Sequence, residues 1–458
     1  MKNAGVLSTL FTLLPLLICS CRPSLSYTGF RPLGDEAIAA DPSLWGELNV
    51  HDPAVIKDGG YYYVFSTDAS IGNRHPLGVQ IRRSRDLVTW EYRGAAFKNF
   101  EADCADVIKF AGLNPAKHDG LWAPDIIKIN GKYRLYFSAS TFGSQQSCIA
   151  LGEAKKIEGP YTYKGMVLTS GANAPGPNAI DPALVFSQEG GLYLSYGSFF
   201  GGIYLAELDR KSGFLKEGAV PIKIAGGNHA ALEGSAIAYL PETGYYYLFV
   251  SYGSLSRDYN IRVARSRNIA GPYLDAQGRD LNDSSLVRAG KAGTKLMGGY
   301  RFLPGRTGDP ALRVKAPGHN SVLIDGKDRF ILHHVRSYGL PDYWFTMHVR
   351  SFALNRFGWP VAAPRRYTGR PRAAPTPPPD GDYRLIEHGD ANSSLSPGVL
   401  DLHFESGRIT GARSGSWRVY GDSRIELLLE GTLYDGVLFD QGFSAMSEDG
   451  YTVWVIHQ

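Results

Sequence analysis

Charge and cysteine are both scarce in this chain. Asp, Glu, Lys and Arg make up only 20 % of its 458 residues, and the formal net charge is +4. No Lys/Arg run breaks the sequence, so no nucleic-acid partner is expected. None of the four cysteines has the spacing of a zinc site. No stretch repeats apolar residues at helical spacing over several turns, which argues against a helical bundle. What is abundant is aromatic side chains, at 12 %, and glycine, at 54 residues. That mixture suits many short strands joined by tight turns. The length exceeds one average domain, so a large domain followed by a smaller one is expected.

The N-terminus reads as a targeting segment. Lys2 precedes an apolar stretch from Val6 to Ile18 that is too short to span a bilayer. It ends in Leu17-Ile18-Cys19-Ser20-Cys21, which resembles a bacterial lipobox with Cys21 as the lipidated residue, although Cys19 is unusual at its position. Residues 1–21 are therefore expected to be a signal peptide of lipoprotein type. The mature protein is exported to the cell surface or periplasm, or else secreted. Only Cys104 and Cys148 then remain, and an oxidising compartment permits either a disulfide or two buried thiols.

A repeat organises residues 45–368. Five segments each open with a polar residue and continue into a short apolar strand. A Gly-rich turn and an aromatic strand follow: His51-Asp52-Pro53, Ala123-Pro124-Asp125, Ile180-Asp181-Pro182, Glu233-Gly234-Ser235 and Gly318-His319-Asn320 mark the openings. Asp58-Gly59, Asn130-Gly131 and Asp325-Gly326 have hairpin-turn composition. Trp90-Glu91-Tyr92, Tyr161-Thr162-Tyr163 and Tyr273-Leu274 read as outer strands. A small antiparallel sheet repeated five times predicts an all-β, five-bladed β-propeller. A Pro-rich linker, 370–380, follows. Residues 381–458 hold 12 Asp/Glu, 5 Arg and no lysine, and their period-two segments predict a small antiparallel sandwich or barrel.

In a propeller the innermost strands begin near the axis, so their opening residues converge at one mouth of the channel. The expected openers are Asp52, Asp125, Asp181, Glu233 and His319. Four carboxylates aimed at one funnel suggest oxygen-ligand cation binding or glycoside hydrolysis.

These motifs, with Leu121-Trp122 before the second and Asn178-Ala179 before the third, resemble glycoside hydrolase family 43, and within it the endo-1,5-α-L-arabinanases. The tail looks like the lipocalin-like domain that some of them carry. The resemblance implies an inverting hydrolysis of internal α-1,5 bonds in arabinan. Asp52 would be the general base, Glu233 the general acid, and Asp181 the carboxylate that orients the acid and raises its pKa. It gives Asp125 no direct role, and Asp125 is expected to be structural. Gly120, Trp122, Asn178, Ile180, Ser198 and Phe199, together with Asp52 and Asp181, would touch the substrate. Trp122 serves equally well as packing between blades. His319 would hold a cation, usually calcium, in the channel. The expected partner is arabinan or an arabino-oligosaccharide, with membrane contact only through a lipid anchor and the protein a monomer. An exo-acting arabinofuranosidase or β-xylosidase on the same fold, or a non-catalytic carbohydrate-binding propeller, stays open.

Overall fold

The computed structural model describes residues 36–171, 176–301, 313–338, 344–369, 380–390, 398–440 and 442–457. The leader with Cys21 and the linker up to residue 379 lie outside them. Five antiparallel sheets and one closed barrel hold the strands. Each sheet is built from strands consecutive in the chain, so a blade is a local unit; in four blades they run from the axis outward, and in the fifth the short strand Tyr300–Arg301 pairs with the start of the innermost one. The innermost strands are Ala54–Asp58, Trp122–Ile129, Ala183–Phe186, Leu232–Leu240 and Arg313–Asp325. Each touches the next around the ring, and the fifth touches the first. The expected propeller is the one observed.

Backbone and side-chain bonds close the ring between the fifth and first blades. Asn49 N donates to Phe345 O at 2.9 Å and Met347 N to Glu47 O at 3.0 Å. On the opposite face, Asp325 accepts from Lys57 Nζ and Tyr62 Oη, both at 2.6 Å. The same pattern joins blades one and two, where Asp58 accepts from Lys128 at 2.6 Å and Tyr133 at 2.8 Å. The closure thus reuses a contact that recurs inside the ring. The Asn130–Gly131 hairpin has φ of 51° and 75° at its two central residues, the left-handed pair that matches strand twist.

Two details differ from the sequence reading, and a third settles a choice it left open. The outer strand of the fourth blade is Thr294–Met297, and Leu274 makes only isolated bridges to Arg265 and Asp280. A seven-residue helix, Ala105–Ala111, lies between blades one and two and buries Val107 and Ala111. Gly112 ends it at φ 69°, its N–H bonded to Ile108 O, where glycine meets no steric cost. Cys104 and Cys148 are both free and share the core beneath that helix.

The C-terminal unit is a barrel of eight strands, closed by pairing of Gly381–Glu387 with Thr452–His457. Alternation fills it: Ile425, Leu427 and Leu429 point inward while Leu428 is exposed. Its outer wall packs on blades four and five. Trp454 is fully buried there, edge-on to Tyr300 at 5.6 Å and beneath the Arg350 guanidinium at 4.8 Å.

Candidate active site

Each inner strand is entered through a sharp corner. One residue per blade takes a left-handed φ: Asp52 at 51°, Ala123 at 35°, Asp181 at 57°, Gly234 at 59° and His319 at 48°. Non-glycine residues pay for that conformation, and such strain concentrates at functional sites. This register corrects the expected set of openers. The second corner is Ala123, and Asp125 lies two residues further in. The fourth is Gly234, with Glu233 one residue before it.

The preceding blade holds most of the corners. The second strand of a blade ends beside its own corner, and its last polar side chain reaches across to the next. Thr67 Oγ1 accepts from Ala123 N at 2.7 Å, Ser138 Oγ from Asp181 N at 3.0 Å, and Ser251 Oγ from His319 N at 2.7 Å. Around the closure, His334 Nδ1 accepts from Asp52 N at 3.4 Å. Burial holds His334 well below the ordinary imidazole range, so this nitrogen stays free to accept. The third blade departs from the pattern: Ser195 meets Ser235 at 2.9 Å, and Gly234 N donates to Asp181 Oδ2 at 3.2 Å. That exception ties Asp181 to the backbone beside Glu233.

The ring brings Asp52, Asp181, Glu233 and His319 within electrostatic reach of one another. Asp52 Oδ2 meets His51 Nδ1 at 2.7 Å and accepts from Thr67 Oγ1 at 2.6 Å. Its Oδ1 faces His319 Nδ1 at 3.0 Å and His334 Nδ1 at 3.5 Å. Burial opposes the charge on Asp52, but His319 and His51 outweigh it and hold the carboxyl well below the usual range. Glu233 is pushed the other way. Burial first, then the charge of Asp181, raises it to about 8, while His319 and a hydrogen bond from Tyr259 oppose. Burial also lifts Asp181 to about 6, with His319 opposing and Asp52 assisting. A carboxylate and a protonated carboxylic acid therefore coexist at one mouth near neutral pH, an arrangement suited to paired acid–base work.

Asp125 does not join this group. Its oxygens accept from Ile126 N at 2.8 Å and Leu184 N at 2.6 Å, a clamp between blades two and three. The residues expected to touch substrate lie on the corner face of those two blades. Trp122 and Ile180 immediately precede their corners. Asn178 is buried, its side chain bonded to Ser144 O and Ser170 Oγ. Ser198 and Phe199 follow the second strand of blade three, anchored where Gly197 N donates to Ile180 O at 2.9 Å. Gly120 has a packing requirement independent of any ligand: a Cβ there would lie 2.5 Å from Asp68 Cβ. Asp68 in turn accepts from Gly78, Val79 and Leu121 N, each at 2.8 Å, and so fixes the approach to Trp122.

Two places on this face bear on a cation. His51, Asp52 and His334 bring possible ligand atoms within 4.8 Å of one another. The two rings stack 3.9 Å apart and 16° from parallel, so their in-plane lone pairs run side by side rather than converge. His319 fits better. Burial opposes its charge, yet Asp52, Asp181 and Glu233 raise it to about 9, because three carboxyls, the oxygen donors a hard cation takes, gather around it. The next residue, Asn320, has a buried side-chain amide with no hydrogen-bond partner among the described residues.

Thr67, Ser251 and Tyr259 were absent from the sequence-derived set. Thr67 and Ser251 had one positional signal, second strands ending in a hydroxyl at Ser66-Thr67, Ser138, Ser195 and Ser251; Tyr259, just before the third strand of blade four, had none.

Residues 46–360 match the family described as glycosyl hydrolases family 43, and residues 364–455 match its C-terminal lipocalin-like domain. A Thermotoga petrophila protein named extracellular endo-alpha-(1->5)-L-arabinanase is 34 % identical over 89 % of this chain and 93 % of its own. Extracellular endo-alpha-(1->5)-L-arabinanase 2 of Bacillus subtilis is 32 % identical over 91 % and 95 %. A crystal structure of endo-1,5-alpha-L-arabinanase from Thermotoga petrophila superposes with a TM-score of 0.79 at 33 % identity, covering 89 % of this chain and 98 % of that one. Fold, carboxylate-bearing corners and sequence agree: the chain belongs to glycosyl hydrolases family 43 and carries the family's lipocalin-like C-terminal domain.

Proposed function

We propose that this glycoside hydrolase cleaves internal α-1,5-linked L-arabinofuranosyl bonds of arabinan with inversion at the anomeric carbon. What carries this reading is that the surroundings pull Asp52 and Glu233 in opposite directions at one mouth, with the His319 corner between theirs. Two relatives that span nearly the whole chain, barrel included, bear endo-arabinanase names. Asp52, already a carboxylate, takes a proton from water as the water oxygen attacks the anomeric carbon. Glu233 gives its proton to the departing glycosidic oxygen as the carbon–oxygen bond breaks. Inversion calls for the two carboxyls to stand roughly 6.5–9.5 Å apart, leaving room for the water. Asp181, held by Gly234 N, keeps negative charge beside Glu233 and so keeps it protonated.

Gly120, Trp122, Asn178, Ile180, Ser198 and Phe199 are assigned to the substrate groove on blades two and three. Calcium is assigned to His319, with Asn320 beside it. When bound, it would supply fixed positive charge that offsets the repulsion among the carboxylates. Export follows from the leader and from the extracellular naming of both relatives; lipidation at Cys21 and a monomeric state complete the reading.

A substrate panel of linear arabinan, branched arabinan and arabinoxylan, with products resolved by size, tests it. Arabino-oligomers appear first from linear arabinan if the reading holds. Arabinose alone from the start, or release only from arabinoxylan, overturns it. For the cation, chelation is expected to lower turnover and the melting midpoint, with calcium restoring both in wild type and not in His319→Ala. No response to chelation or to added calcium removes the metal from the account.

A further inference from the structure

Tyr259 is buried, at 1 % exposure, and its ring can occupy only one place. One face lies parallel to His334, 5.8 Å away at 16°. Gly318 presses on the ring edge so closely that a Cβ there would come 1.9 Å from Cδ1. The hydroxyl donates to Glu233 Oε1 at 3.0 Å. Ser251, whose Oγ accepts from His319 N at 2.7 Å, is a further polar neighbour of the phenol.

We propose that Tyr259 is a positioning residue for the acid: by occupying Oε1 of Glu233, it leaves Oε2 as the oxygen that carries the transferable proton. The inference rests on Glu233 being the general acid. In the neutral carboxyl, Oε1 is the carbonyl oxygen and accepts from Tyr259, while Oε2 bears hydrogen. As the glycosidic bond breaks, that hydrogen passes to the leaving oxygen and its electron pair stays on the carboxylate. The Tyr259 bond then becomes charge-assisted and stronger. An interaction that grows on the way to the transition state belongs in kcat, with little effect on KM. Burial, followed by the three surrounding carboxylates, raises the phenol well above its ordinary range, so it serves as a donor throughout.

The test uses Tyr259→Phe in the full chain, because phenylalanine keeps the ring against His334 and Gly318 and removes only the hydroxyl. Two substrates separate acid catalysis from everything else: α-1,5-arabinopentaose, whose alkoxide leaving group needs a proton, and the 2,4-dinitrophenyl glycoside of α-1,5-arabinobiose, whose leaving group does not. On the pentaose, kcat should fall about 10- to 100-fold, the worth of a hydrogen bond to a charged group, with KM within about twofold. On the dinitrophenyl glycoside the fall should stay under about threefold, since proton donation contributes nothing there. Equal losses on both substrates, or no loss on the pentaose, overturn the proposal. Glu233→Gln, run alongside, keeps the two readings apart. If it spares the activated substrate and Tyr259→Phe does not, only the role of Tyr259 falls. If Glu233→Gln fails to spare it, the acid assignment itself falls, and the proposal with it.

Discussion

Asp52 and Glu233 have the same functional group and nearly the same address, and their neighbours push them in opposite directions. Asp52 is surrounded by donors: Thr67, His51 and His319. Glu233 has Tyr259 on one oxygen and the charge of Asp181 nearby. A pH dependence follows. Glu233 works only when protonated, so turnover should be present below about pH 8 and lost as pH rises through that value. Asp181→Asn removes a negative charge that raises Glu233, so the alkaline limb should move to lower pH. A limb that stays in place would show that Asp181 does not tune the acid. Thr67→Val should lower kcat about tenfold by freeing Asp52 Oδ2 and stranding Ala123 N, a loss typical of one hydrogen bond to a charged group. Unchanged kcat would mean that the two histidines position Asp52 alone. At this scale sequence reading reached Asp52, Asp181, Glu233 and His319, because carboxylates and a histidine at repeated motif openings stand out. It missed Thr67, Ser251 and Tyr259. A hydroxyl near a strand end looks ordinary until the next blade is seen resting on it.

The element that matters is the corner. Five left-handed residues, most of them held from the preceding blade, aim the functional side chains at one mouth, and the corner register decides which residue points where. Sequence reading found five openings but placed the second and fourth one or two residues away, since a polar residue was taken as the marker. The backbone marker is positive φ, which Ala123 and Gly234 supply without polarity. Gly318 shows how tight the geometry is. Gly318→Ala would drive a methyl into the Tyr259 ring, with an expected cost of about 1–3 kcal/mol from overpacking. Turnover should fall with it as the hydroxyl leaves Glu233. Thermal melting and kcat check this together, and an alanine variant unchanged in both would mean that the ring has room to move. The Ala105–Ala111 helix and the Thr294–Met297 strand escaped sequence reading because seven and four residues are too short to establish a period.

The whole molecule is a propeller with a barrel fastened to blades four and five. Period-two alternation announced a small β unit, and closure became visible only with the pairing of its first and last strands, a contact distant in sequence. Asp435 is the polar centre of the fastening. It is fully buried, accepts from Arg356 N at 2.6 Å and from Tyr420 Oη, and has Arg424 Nη1 3.8 Å away. Asp435→Ala removes the acceptor of Arg356 N and Tyr420 Oη between the domains, at a cost of about 3 kcal/mol. Calorimetry should then resolve two transitions, with the barrel melting first, while arabinan turnover at 25 °C stays at the wild-type level because the corners are untouched. A single transition at the wild-type midpoint would mean that the apolar contact around Trp454 suffices.

The central claim is that Asp52 and Glu233 together perform the hydrolysis. Turnover of linear α-1,5-arabinan by wild type, Asp52→Asn and Glu233→Gln, under identical conditions and with folding verified by melting, tests it most directly. Each substitution is expected to lower kcat by about 10²–10⁴-fold, the range for a general acid or base. Turnover close to wild type in either variant would contradict the claim.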